Sequence, residues 1–168
     1  MSLDCMLVSL PIQTYKMKKM VENYDFSPSI GLMSLYSILS FNGFTVEIID
    51  LIYEPLKRSE FIKKIASVRP KLLGISAYTE NIAIAIRLAE SIKALAPDVK
   101  IAFGGAHVSL DLREFQACEA VDFAMMREGE GSIVELMAAI STNEHLIRYD
   151  EIMEKHYERF TLPSHLVF

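Results

Sequence analysis

Two apolar runs in this sequence end in residues that could hold a ligand. Leu72-Leu73-Gly74-Ile75 leads into Ser76-Ala77-Tyr78-Thr79, and Val99-Lys100-Ile101-Ala102-Phe103 leads into Gly104-Gly105-Ala106-His107. Ser76 and Thr79 bring hydroxyls that donate and accept hydrogen bonds, while Gly104 and Gly105, lacking side chains, let a bulky group lie against the backbone. The chemistry on offer is binding, and no residue is assigned a catalytic role. The two cysteines, Cys5 and Cys118, belong to no CxxC or Cys/His array. They are expected as buried thiols in a reducing cytosol rather than metal ligands or a disulfide, so the chain itself builds no metal cluster.

A shelf of this kind needs strand ends side by side. Residues 5–10 form a continuous apolar run closed by Pro11, and read as a central strand. Residues 12–30 are polar and basic, end in Ser27-Pro28-Ser29, and form a loop above that strand end. Leu32, Leu35, Tyr36 and Leu39 then recur at helical spacing over residues 31–41, and Asn42-Gly43 supplies the stop. Residues 45–49 are a β-branched strand leading to Asp50. Ser59 is expected to cap a helix with Phe61, Ile62, Ile65 and Ala66 inward, closed by Pro70. Residues 72–77 make the third strand, and Asn81 opens a helix with Ile82, Ala85, Ile86, Ala89 and Ile92 on one stripe. Residues 99–103 are a fourth strand, 110–120 a weaker helix, 121–126 a fifth strand and 132–140 a last core helix.

Strict alternation with short connections predicts an α/β domain: a flavodoxin-like (Rossmann-like) five-stranded parallel sheet in the order 2-1-3-4-5, with helices on both faces. The ligand is then expected over Leu10, Ser76 and Gly104, at the switch point between the first and third strands. With 168 residues, 51% of them hydrophobic, the chain can bury a sizeable single core. A net charge of -5 and no basic cluster beyond Lys16-Met17-Lys18-Lys19 argue against nucleic acid as a partner. No run approaches the ~18 apolar residues of a membrane span, and the expected location is cytoplasmic.

Two owners of this fold fail on residue type. A phospho-acceptor receiver needs acidic residues after the first strand and an Asp ending the third, where this chain has Leu10-Pro11-Ile12 and Ser76-Ala77-Tyr78. A flavodoxin-type site needs a Ser/Thr/Gly-rich phosphate cradle after the first strand, where residues 10–15 read Leu-Pro-Ile-Gln-Thr-Tyr.

Four segments, taken in order and spacing, resemble another group. These are Pro28-Ser29-Ile30-Gly31-Leu32, Gly74-Ile75-Ser76-Ala77-Tyr78-Thr79-Glu80-Asn81, Phe103-Gly104-Gly105-Ala106-His107-Val108-Ser109, and Asp122 through Arg127-Glu128-Gly129-Glu130-Gly131-Ser132. Together they are similar to the N-terminal cobalamin-binding domain of cobalamin-dependent radical S-adenosylmethionine proteins, a group that includes methyltransferases and the anaerobic oxidative cyclase of magnesium-protoporphyrin monomethyl ester. The resemblance covers about residues 4–140 and implies that the nucleotide tail of cobalamin lies beside the third and fourth strands. Ser76 and Thr79 would hydrogen-bond the tail, and Gly104 and Gly105 would make room for the benzimidazole. The implied cofactor-binding set is Ser76, Ala77, Tyr78, Thr79, Gly104, Gly105, His107, Glu128 and Gly129, with His107 at the rim. In the structural alternative Ser76 and Thr79 cap the next helix, the glycines form a tight turn, and Glu128 and Glu130 sit in a first helical turn favoured by the helix dipole.

Two departures shape the expectation. Residues 10–31 contain no histidine, so the DxHxxG motif that supplies a lower axial ligand in other cobalamin domains is absent, and cobalamin is expected base-off with no histidine from that loop. No CxxxCxxC motif occurs either, so S-adenosylmethionine and a 4Fe-4S cluster are expected only in a separate radical domain, acting in cis or in trans. Residues 1–140 are accordingly read as the cofactor module. Residues 141–168, with Tyr149, Ile152, Met153, His156 and Phe160 on one stripe, read as a helix or linker toward the radical domain. A cofactor-free interaction or positioning module is the competing class, kept open by the missing histidine and the bulky Tyr78.

Overall fold

The computed structural model describes residues 3–11, 29–52, 56–111, 115, 117–126 and 128–142. Its strands are β1 (Cys5–Ser9), β2 (Val46–Asp50), β3 (Leu72–Ser76), β4 (Lys100–Gly104) and β5 (Phe123–Ala124). They alternate with helices α1 (Ile30–Phe41), α2 (Arg58–Val68), α3 (Ile82–Leu95), α4 (Ala106–Leu110) and α5 (Glu130–Thr142). The strands are all parallel in the order β2-β1-β3-β4-β5, the order expected from the alternation.

Because side chains alternate across a strand, every strand feeds two cores. Met6, Val8, Leu73, Ile75, Ile101 and Phe103 pack against Phe61 and Ile65 of α2 and the Ile82, Ala85, Ala89 and Ile92 stripe of α3. Cys5, Leu7, Leu72, Ala102 and Phe123 face the other way, onto Leu32 and Leu39 of α1 and Ile133, Leu136 and Met137 of α5. Burial pushes the Cys5 thiol up to about 12, with the Asp4 charge adding to it, and burial also raises Cys118, so both stay protonated.

The amino edge of the sheet is clasped by charge. Asp4 accepts from the Thr45 backbone N–H at 2.8 Å and the Thr45 hydroxyl at 2.7 Å, and pairs with Lys71 Nζ at 2.8 Å, tying together the starts of β1, β2 and β3. Asp122 does the same at the other side, pairing with Lys93 at 2.6 Å and Lys100 at 3.1 Å and accepting the Ile101 N–H at 2.8 Å. Partial burial raises the Asp4 carboxyl, but hydrogen bonds from Lys71 and Thr45 outweigh it and hold the group at about 2.

Two expectations shift, and one short helix is added. α2 begins at Arg58 with Lys57 as N-cap, because the Glu60 carboxylate reaches back to the Lys57 N–H at 3.3 Å, and Ser59 does not cap it. A short helix that was not expected, α4, starts directly after Gly105, ahead of the helix expected over 110–120, within whose span Phe115 is helical. Residues 112–114 and 116 lie outside the described residues, while Phe115, Cys118 and Val121 are joined by tight backbone turns. β5 shortens to two residues, since the Asp122 side chain takes the Ile101 N–H at its start. The stripe expected over 149–160 lies outside the described residues.

Candidate functional site

At the carboxyl edge, the face that packs on α1 and α5 loses its bulk. Leu7, Gly74 and Ala102 stand in register there, and one step further out stand Asp50, Ser9, Ser76 and Gly104, consecutively across β2, β1, β3 and β4. Over this floor lies a cleft of about 490 Å³, walled by the start of α1 (Ile30, Gly31, Leu32, Leu35) and the start of α5 (Gly129, Glu130, Ile133). Ser29 caps α1, its Oγ accepting the Leu32 N–H at 3.5 Å, and the Ser34 hydroxyl donates to Glu130 at 2.8 Å, joining the two walls.

The glycines of this region have different reasons to be glycine. A Cβ on Gly104 would meet nothing nearer than the Met125 carbonyl oxygen at 3.9 Å, so its missing side chain leaves open cleft. A Cβ on Gly74 would lie 2.9 Å from Leu7 Cδ2, and one on Gly129 would lie 3.3 Å from Leu35. Gly105 instead serves the backbone: its φ is +106°, and a Cβ there would sit 2.8 Å from the Ala77 carbonyl oxygen. That close approach lets Ala77 N–H donate to the Gly104 carbonyl at 2.8 Å and the His107 N–H donate to the Ala77 carbonyl at 3.3 Å, zipping the ends of β3 and β4 together.

Of the nine residues expected from the sequence, Ser76, Tyr78, Gly104, Gly105, Glu128 and Gly129 line the cleft. Ala77 is fully buried on the opposite face of the sheet, and Thr79 Oγ1 lies 3.1 Å from His107 Nδ1, with the imidazole buried against Phe115. Neither Ser76 nor Thr79 caps α3. Its N-cap is Asn81, which is wholly buried, accepts the Tyr78 N–H at 2.8 Å and donates to the Leu10 carbonyl at 3.2 Å. The cleft residues that sequence reasoning passed over include Ser9, Asp50 and Gly74, all of the same strand parity as Ser76 and so turned to the same face. That parity was the available signal.

The charged residues lining the cleft are Asp50, Glu128 and Glu130, with no lysine or arginine among the described lining residues. Among the described residues no group of three or more His, Cys, Asp or Glu side chains could hold a metal ion. A cradle of this composition suits a large, largely apolar, uncharged ligand group held at a few polar points, and it discriminates against multiply charged phosphates.

Residues 20–137 match the B12 binding domain. The chain belongs to that family. This B12-binding domain is 28% identical over 145 residues to the anaerobic magnesium-protoporphyrin IX monomethyl ester cyclase of Synechocystis, covering 83% of the chain and 29% of the cyclase. It is 32% identical over 123 residues to an uncharacterized methyltransferase of Pyrococcus horikoshii, covering 71% of the chain and 26% of that protein. The B12-binding domain thus spans less than a third of the length of these curated relatives. Among solved structures it shares its fold with the radical S-adenosylmethionine methyltransferase TsrM from Kitasatospora setae, with cobalamin and a [4Fe-4S] cluster bound, at a TM-score of 0.66 and 19% identity over 87% of the chain and 26% of TsrM. The cobalamin-dependent radical enzyme OxsB, with aqua-cobalamin bound, gives 0.67 at 19% identity over 86% of the chain and 20% of OxsB. Among the described residues no helix is long and apolar enough to cross a membrane.

Proposed function

We propose that this B12-binding domain is the cofactor module of a radical S-adenosylmethionine enzyme, holding base-off cobalamin with no histidine beneath the cobalt. The observation that carries the reading is the Gly74, Ala102 and Gly104 floor under a roomy cleft at the switch point, a place where side chains would otherwise fill the space of a flat aromatic tail. Ser76 would hydrogen-bond the tail, Gly104 and Gly129 would give it room, and Tyr78, Gly105 and Glu128 would border it at the rim. Ala77, Thr79 and His107 act behind this surface, fixing the β3 and β4 ends through the Ala77 backbone and the Thr79–His107 contact. When bound, cobalamin supplies a methyl carrier or a partner to radical chemistry.

S-adenosylmethionine cleavage belongs on this reading to a separate radical domain with its own 4Fe-4S cluster, reached in cis or in trans. Residues 1–140 form the module and 141–168 lead toward that domain. The match of the chain to only part of a cyclase and of a methyltransferase supports the division. Two buried, unpaired thiols suit a reducing cytoplasm.

The test is to incubate the chain with hydroxocobalamin, remove free corrinoid by desalting, and record the spectrum of the protein fraction, then reduce to Co(II) for electron paramagnetic resonance. Retained corrinoid with a base-off spectrum and no nitrogen superhyperfine splitting from a lower ligand is expected. Loss of all corrinoid would return preference to the interaction-module reading, and nitrogen splitting would remove the base-off, histidine-free part.

A further inference from the structure

Resting on that reading, we infer that Asp50 is a ligand-reading residue, its Oδ2 accepting an N–H or O–H donated by cobalamin, so that the β2 side of the switch point forms a second polar anchor opposite Ser76. Asp50 ends β2 in register with Ser9, which is in register with Ser76, and all three border the cleft. Among the described residues its side chain takes one hydrogen bond: Oδ1 accepts the Ile52 N–H at 3.0 Å, a local turn that fixes the side chain and leaves Oδ2 for a ligand.

Two things about the surroundings say what that ligand group is. The carboxylate is half-buried, and no lysine or arginine among the described lining residues is there to neutralise it. A carboxylate so placed is satisfied by hydrogen-bond donors and repels phosphate. Cobalamin offers donors of two kinds, the amides around the corrin ring and the hydroxyls on the ribose of its nucleotide tail. A corrin amide would meet Asp50 without bringing a second negative charge against it, and a ribose hydroxyl would do so with the phosphodiester of the tail directed away.

Asp50→Asn tests this with little change of shape. The amide keeps an oxygen for the Ile52 N–H and converts the remaining acceptor into a donor. Equilibrium binding of hydroxocobalamin and of dicyanocobinamide, which lacks the nucleotide tail, is measured on the full chain, with circular dichroism as the check on folding. Cobalamin affinity is expected to fall by about 10–100-fold, the effect of losing a hydrogen bond to a charged group. An equal loss for cobinamide identifies a corrin amide as the donor, and a loss confined to cobalamin identifies the ribose hydroxyl. Unchanged cobalamin affinity in the folded variant overturns the inference while leaving the cofactor-module reading intact, whereas a wild-type chain that binds neither corrinoid overturns both. Asp50→Ser, which also offers the turn an oxygen, gives the same discrimination if the amide variant misfolds.

Discussion

The two edges of this one sheet are built on opposite plans. Where the strands begin, long charged side chains reach across from strand to strand, with Asp4 and Asp122 each serving as the hub of a clasp and each only 16% and 13% exposed. Where the same strands end, a few residues later, the side chains on one face shrink to Asp50, Ser9, Ser76 and Gly104. In a parallel sheet all the strand beginnings share one edge and all the ends share the other, so stability and binding can be placed at separate ends of the same five strands. The lesson is that a side chain removed from one edge costs stability and a side chain added to the other costs binding.

The largest test of that contrast adds a side chain at the carboxyl edge. Gly104→Leu should abolish cobalamin uptake with the fold retained, since its Cβ enters open cleft; retained uptake measured after desalting would show that the cleft is not the tail site. Gly105→Leu should behave differently from what adjacency suggests, losing about 2–4 kcal/mol of stability as well, because of its φ of +106° and the 2.8 Å approach to the Ala77 carbonyl. The resemblance implied only that Gly105, with Gly104, makes room for the benzimidazole.

Next in size is removal of a hub at the amino edge. Asp122→Ala removes the counter-charge of Lys93 and Lys100 and the acceptor of the Ile101 N–H together and should cost about 2–3 kcal/mol in denaturant unfolding, with the affinity of the folded fraction for cobalamin unchanged. Altered affinity would mean that the two edges communicate.

The smallest effect is one of pH. Asp4 titrates lower folded than its ordinary 3.8, at about 2, so its contribution is fully present above pH 5 and is lost as pH falls through the folded value. Screened at this partly exposed site, that contribution is about 1–2 kcal/mol, and Asp4→Asn should flatten the acid limb of the stability curve between pH 5 and 2 by that amount. An acid limb identical in the variant would exclude Asp4 as its source.

Much of this architecture was legible because burial imposes periodicity. The five strands, their order and the inward stripe of α3 all follow from apolar spacing and from the handedness of crossovers. What escaped is set by contacts distant in sequence. Thr79 follows β3 closely and reads as another hydroxyl for a ligand, but its partner is His107, brought beside it by the β3–β4 pairing. The start of the short helix α4 at Ala106 depends on a left-handed glycine, and a sequence shows that Gly105 permits such a φ but not that it adopts one. Asp50 looked like a strand terminator until the register set it beside Ser9 and Ser76.

Asn81 has a mechanical meaning. Its amide is a rivet through two loops: one end grips the Leu10 carbonyl, where the chain leaves β1, and the other grips the Tyr78 N–H at the rim. Because the rivet is wholly buried and grips backbone at both ends, it has no slack to take up. Leu10 and Tyr78, one on each rim of the switch point, are therefore held at one spacing by a single side chain.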